Sequence, residues 1–219
     1  AAADGPACGD SLALPNRPAP DYTRARTVAV HRSAPVKELV RHTNQKSDNN
    51  YAAMLLAHAG KAAGKSGDFR GGLAAMGEWM ARNGFDGRGI NFRDGTGLSR
   101  YNWVTAEQTV HLLLTAYRSK SWSAFRSSLV GAPGAEQKLE RYGAGWAGRL
   151  VVKTGTLQGV ASLAGYLKTD SGRWIAFAVA ANNFASRDAV GAGPDGAVVL
   201  KDDPQRAFEP LLRRWAKEL

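Results

Sequence analysis

Apolar residues recur at helical spacing over roughly the first 130 positions of this chain, then gather into short strand-like runs. Val36, Leu39 and Val40 follow Ser33-Ala34-Pro35, which predicts a helix with Ser33 as its N-cap. A second helix is expected from about Asn50 to Ala63, with Tyr51, Met54, Leu55 and His58 as its apolar stripe and Gly64 just past its end. A third, from about Phe69 to Asn83, carries Leu73, Met76, Trp79 and Met80 and stops at Gly84. Thr105 is placed to cap a fourth, which holds Val110, Leu113, Leu114 and Tyr117.

The texture changes at Gly131 to Gly148, which is glycine-rich and reads as loop. Three strand signals follow, at Arg149 to Thr156, Gly159 to Lys168 and Arg173 to Ala181, with Asp170-Ser171-Gly172 as a hairpin turn. A last helix opened by Pro204, with Phe208, Leu211, Leu212 and Trp215 in its stripe, would cover one sheet face, and Pro210 should disturb its early turns. At the other end, Pro15, Pro18 and Pro20 and the lack of any period make residues 1–25 a flexible tail. Thr27 to Val30 would be a short strand leading into the domain at 26–219. Helices, then an antiparallel sheet, then a covering helix: the expected class is α+β.

Composition alters this picture little. The chain has 219 residues, 44% of them hydrophobic, which suits a folded domain. The apolar run Ile175 to Ala181 is far too short for a transmembrane segment, and no stretch has the build of a signal peptide. Cys8 is the one cysteine and can close no intramolecular disulfide. His31, His42, His58 and His111 show neither H-x-x-x-H nor H-E-x-x-H spacing, so neither a metal nor another cofactor is expected. The net charge of +10 would attract polyanions, but its 29 Lys and Arg are spread along the chain with no zinc finger, RNA-recognition signature or phosphate loop to focus them. A solvated basic surface is expected, and no specific nucleic-acid partner.

Two triplets change the picture more. In Ser47-Asp48-Asn49, a serine hydroxyl could pass a proton while the Asn49 amide binds substrate or fixes a lysine ammonium; the same triplet is also an ordinary helix N-cap. Lys153-Thr154-Gly155 falls on an edge-like strand, where alternation puts Thr154 and Thr156 on one face and two hydroxyls could hold a carboxylate. Gly155 would let a peptide lie against the strand, and Lys153 would favour an anionic terminus. Each triplet alone is weak.

Together with Asp94-Gly95-Thr96-Gly97-Leu98-Ser99-Arg100-Tyr101-Asn102 and Gly159-Val160-Ala161-Ser162-Leu163-Ala164-Gly165-Tyr166, and in this order, they resemble the C-terminal part of the D-alanyl-D-alanine carboxypeptidases of the low-molecular-mass, class C penicillin-binding proteins. The resemblance runs from about residue 27 to residue 219. It implies a β-lactamase/penicillin-binding transpeptidase-like fold and a periplasmic or extracytoplasmic, metal-free serine hydrolase of peptidoglycan peptides that β-lactams would trap. Ser47 then resembles the proton-relay serine and Asn49 the substrate-orienting amide. Lys153 resembles the lysine of the third motif, and Thr154 and Thr156 the carboxylate-binding pair, with the Thr156 amide as an oxyanion donor. Asp94 to Gly97 departs from the family's D-G-S-G and reads as a structural turn.

One family element is missing from these residues. No serine here is followed by lysine three positions on, so the S-x-x-K nucleophile is absent. Thr43-Asn44-Gln45-Lys46 has the spacing, but Lys46 abuts Ser47 and cannot stand in its place. Two readings remain open: part of a carboxypeptidase/endopeptidase whose S-x-x-K lies elsewhere, including on a separate N-terminal chain, and a pseudoenzyme that binds D-Ala-D-Ala peptides without acylation.

Overall fold

Three antiparallel strands in the order β1-β2-β3 form the sheet on which the rest is arranged: β1 Leu150–Leu157, β2 Val160–Lys168 and β3 Trp174–Asn182. They begin and end within a residue or two of the predicted runs. The computed structural model describes residues 23, 25–132, 139, 142, 144–183 and 206–219. The chain divides into two units, Ala1–Ser33 and Ala34–Leu219, and every element named here lies in the second. The tail expected at residues 1–25 falls almost wholly outside the described residues, as does Pro204.

Alternation along β1 sorts its residues onto two cores. Leu150 and Val152 join Leu163, Leu167 and Phe177 beneath the C-terminal helix α6 (Glu209–Glu218), which contributes Leu212 and Ala216. Val151 and Tyr166 face the other way and pack with Leu113 and Leu129, partly buried Trp122 and Phe125 closing that layer. The fold is α+β, as expected, and helices pack on both sheet faces rather than one. Pro210 does not disturb α6, because the helix proper starts at Glu209 and the ring occupies its first turn, where no intrahelical N–H is required.

The helical region is built otherwise. Helices α1 (Val36–Lys46), α2 (Asn49–Ala62), α3 (Phe69–Arg82) and α4 (Ala106–Arg118) occur near their predicted places. Thr105 caps α4 as expected, accepting from the Gln108 amide at 3.1 Å. Ser33 does not cap α1; Pro35 holds that position, with no side-chain cap bond. Thr27 to Val30 forms no strand, and Val28 and Val30 are exposed; four residues are short for a strand without a neighbour to pair with.

The predicted α2 stripe is also wrong in kind. Ala53, Ala57 and Gly60 are the buried face, while Tyr51, Met54 and His58 are exposed. On α3 the buried residues are Gly71, Gly72 and Ala75. A Cβ on Gly60 would sit 2.5 Å from the Gly72 nitrogen, and one on Gly72 only 2.4 Å from the Leu56 carbonyl oxygen. The two helices therefore meet backbone to backbone, an approach that only missing side chains permit. Two further features were not predicted: the short helix α5 (Trp122–Ser128), and the burial of Leu139, Tyr142 and Trp146 in the supposed loop. Among the described residues no helix is long and apolar enough to cross a membrane.

Candidate active site

Ser47 ends α1 in the left-handed region, at φ 55 and ψ 45, one of two non-glycine residues with positive φ among those described. That conformation costs about 1–2 kcal/mol for a residue with a Cβ, so its surroundings must hold it. Asp48 supplies the hold. Its Oδ1 accepts from the Tyr51 amide at 3.0 Å and caps α2, while its Oδ2 lies 3.0 Å from His42 Nε2 on α1. The Tyr51 amide first, then the His42 bond, hold the Asp48 carboxyl below its ordinary value. Asn49 then opens α2, exposed and two residues from Ser47.

Lys153 reaches Ser47 by a different route. The Asn44 amide on α1 donates to Ser128 Oγ at 2.7 Å, and Gln45 donates to the Ser127 carbonyl at 3.3 Å, which seats α1 on α5. Ser128 is fully buried and itself donates to the Phe125 carbonyl. Two residues after α5, Val130 exchanges both backbone hydrogen bonds with Val152, at 2.9 and 2.8 Å. The end of α1 is thus tied through α5 to the strand position beside Lys153. Lys153 Nζ donates to Ser47 Oγ at 2.7 Å and to its neighbour's carbonyl, Thr154 O, at 2.6 Å. Residues 106 positions apart meet in one hydrogen bond.

β1 is an edge strand among the described residues, bridged on its outer side by Val130. Ladder parity turns the backbone groups of Val152, Thr154 and Thr156 to that outer side. The same parity puts Lys153 and Gly155 on the sheet face of Val151, and Thr154 and Thr156 on the face of Val152. A chain laid along this edge would meet the Lys153 ammonium from one side and two threonine hydroxyls from the other. A Cβ at Gly155 would lie 2.5 Å from Ser162 Oγ across the ladder, so the glycine's immediate effect is to accommodate that cross-strand partner.

Asp94 organises the turn that begins at Asp94-Gly95-Thr96-Gly97. It accepts from the Thr96, Gly97 and Ser99 amides, from the Thr96 hydroxyl and from the Asn102 side chain, at 2.8 to 3.1 Å. Burial pushes its carboxyl up, but these donors outweigh it and hold the group below its ordinary value. The Thr43 hydroxyl is engaged within α1, donating to the Leu39 carbonyl at 2.8 Å. The positions that sequence reasoning missed are Asn44, Ser128 and Val130, which carry no chemistry of their own and act through contacts that no local pattern signals.

A sheet flanked by helices, with a serine–lysine contact at its edge, defines the penicillin-binding and β-lactamase class of fold. The structure matches penicillin-binding protein 4 of Haemophilus influenzae with a TM-score of 0.67 at 24% identity, over 84% of this chain and 40% of that one. It matches the β-lactamase TLA-1 with a TM-score of 0.51 at 20% identity, over 70% and 58%. Residues 2–203 match the model of the D-Ala-D-Ala carboxypeptidase 3 (S13) family, and the chain belongs to that family. It is similar to the D-alanyl-D-alanine carboxypeptidase of an Actinomadura species (29% identical over 211 residues, 86% of this chain and 39% of the relative). It is also similar to carboxypeptidase DacB of Mycolicibacterium smegmatis (32% over 182 residues, 80% and 38%). The chain thus spans well under half the length of these relatives.

Proposed function

We propose that this chain is the C-terminal part of a serine-type D-Ala-D-Ala carboxypeptidase/endopeptidase acting on peptidoglycan peptides outside the cytoplasm, and that it supplies two walls of an acyl-transfer site. The observation that carries this reading is the 2.7 Å bond from Lys153 Nζ to Ser47 Oγ. An ammonium beside a hydroxyl favours the charge that develops when that hydroxyl gives up a proton, so Ser47 can relay a proton to the leaving D-alanine. Asn49 orients the peptide. Lys153 attracts the terminal carboxylate, which Thr154 and Thr156 hold while the backbone lies along β1 beside Gly155, the Thr156 amide serving as an oxyanion donor. The attacking serine comes from an S-x-x-K segment outside these residues, and residues 26–219 form part of one penicillin-binding domain.

The lack of S-x-x-K favours one second reading, a module that binds D-Ala-D-Ala termini without cleaving them. Both readings require the terminus to bind. A peptide ending in D-Ala-D-Ala, titrated into the isotope-labelled chain, should shift the amides of Thr154, Gly155 and Thr156. Its L-Ala-L-Ala counterpart should leave them unmoved. Equal shifts with both peptides, or none with either, would remove the assignment.

A further inference from the structure

We propose that His42 is a positioning residue for Ser47, holding the left-handed turn between α1 and α2 from which the Ser47 hydroxyl meets Lys153. This inference gives His42 its purpose through the reading of Ser47 proposed above, but the geometry stands without a ligand. Two helices must change direction within two residues, left-handed Ser47 and extended Asp48, since α1 ends at Lys46 and α2 begins at Asn49. A backbone bond helps, the Asp48 amide donating to the Thr43 carbonyl at 3.2 Å. It closes only the α1 side of the turn. The α2 side is fixed by Asp48 Oδ1 on the Tyr51 amide.

His42 joins the two sides. From the last turns of α1 its Nε2 reaches Asp48 Oδ2 at 3.0 Å, and its ring lies against the Tyr51 ring on the first turn of α2, centroids 4.5 Å apart. Asp48 therefore uses one oxygen for each helix, and Ser47 is enclosed in a clasp running from residue 42 to residue 48. A left-handed serine is disfavoured in an unconstrained chain. With the clasp open, its backbone is free to return to the extended or right-handed region, which swings Oγ away from Lys153 Nζ. The preceding residues offer no substitute: the Thr43 hydroxyl donates to Leu39 and the Asn44 amide to Ser128.

The test compares His42→Phe, which keeps a ring against Tyr51 but loses the donor, with His42→Gln, which restores a donor without the ring. Two ligand-free NMR probes are read in the full chain: the Ser47 Cα and Cβ shifts, which report its backbone region, and the Lys153 ε-methylene signal, which reports its contact. The reference for a lost contact is Ser47→Ala. In His42→Phe the Ser47 shifts should move at least halfway to random-coil values and the Lys153 signal toward that of Ser47→Ala. His42→Gln should return both most of the way. Wild-type signals in His42→Phe overturn the proposal, since ring packing on Tyr51 alone would then hold the turn, as does equal displacement in both variants, which would show that a donor at this position does not restore it. Should His42→Phe fail to fold, His42→Ala is read by the same criteria. Because no probe needs a substrate, a failure of D-Ala-D-Ala binding in the wild type bears on the proposed function and leaves this result standing.

Discussion

The helical region and the sheet region of this protein fill space by opposite means. Around the sheet, Leu150, Val152, Leu163, Leu167 and Leu212 are fully buried, and Tyr142 and Trp146 fill the layer beneath α6. Between α2 and α3 the buried residues are alanines and glycines, and large apolar residues such as Met54, Phe69 and Trp79 lie exposed on the outside. One region is held by volume, the other by its absence. The sheet should therefore suffer when atoms are removed, and the helix pair when atoms are added.

Removing atoms gives the largest contrast. Leu163→Ala, in the central strand, should cost about 2–5 kcal/mol in denaturant unfolding, and the same truncation at exposed Met54 less than about 0.5 kcal/mol. Comparable losses at both would mean that the exposed face is covered. Adding atoms comes next: Gly72→Val would drive a side chain into the Leu56 carbonyl and should destabilise by about 1–3 kcal/mol despite valine's better helix propensity than glycine's. An unchanged melting temperature would show that the helices can part freely. Ser128→Ala probes the seam between the regions. It leaves the Asn44 amide without its acceptor, so a loss of about 1–3 kcal/mol is expected, with a shifted Ser47 signal.

Acid should separate the regions more gently. Among the described residues, the carboxyls held below their ordinary values, Asp48, Asp68, Glu78, Asp86 and Asp94, all fall in the helical region. A depressed folded-state value contributes stability that is present above the unfolded value, near 3.8 for Asp and 4.5 for Glu, and lost as pH falls through the folded one. Followed downward from about pH 5, amide protection relative to the intrinsic exchange rate at each pH should thus fall in α2, α3 and the Asp94 loop before it falls in β2. Simultaneous opening of both would make the chain one cooperative unit under acid.

The same contrast explains what the sequence revealed. Strands were legible because β2 and β3 are long, largely apolar and bounded by Gly159 and Asp170-Ser171-Gly172. Helix positions were legible too, but not the face of α2: a search for large apolar residues selects Met54 and Tyr51 and passes over Ala53, Ala57 and Gly60. Helix α5 was missed because seven residues, three of them serine, give no readable period. Tyr142 and Trp146 were hidden by the glycines around them. Both motifs of the candidate site stood in the sequence, and their meeting was implied by resemblance. The path that brings them together, Asn44 to Ser128 and Val130 to Val152, depends on contacts more than 20 residues apart that no local pattern records.

Acylation by penicillin tests the proposed division of the site most directly, because a β-lactam forms a lasting adduct only where a serine attacks its carbonyl. Intact-mass measurement in excess penicillin should show no adduct on this chain. Joined to a family segment carrying S-x-x-K, the protein should gain one penicillin on the serine of that segment, and Lys153→Ala in the joined protein should slow the gain by about a hundredfold or more, of the order that loss of one electrostatic stabiliser costs. An adduct on the isolated chain, mapped to Ser47 or Thr43, would contradict this assignment of the nucleophile, and a joined protein that acylates equally fast without Lys153 would contradict its role.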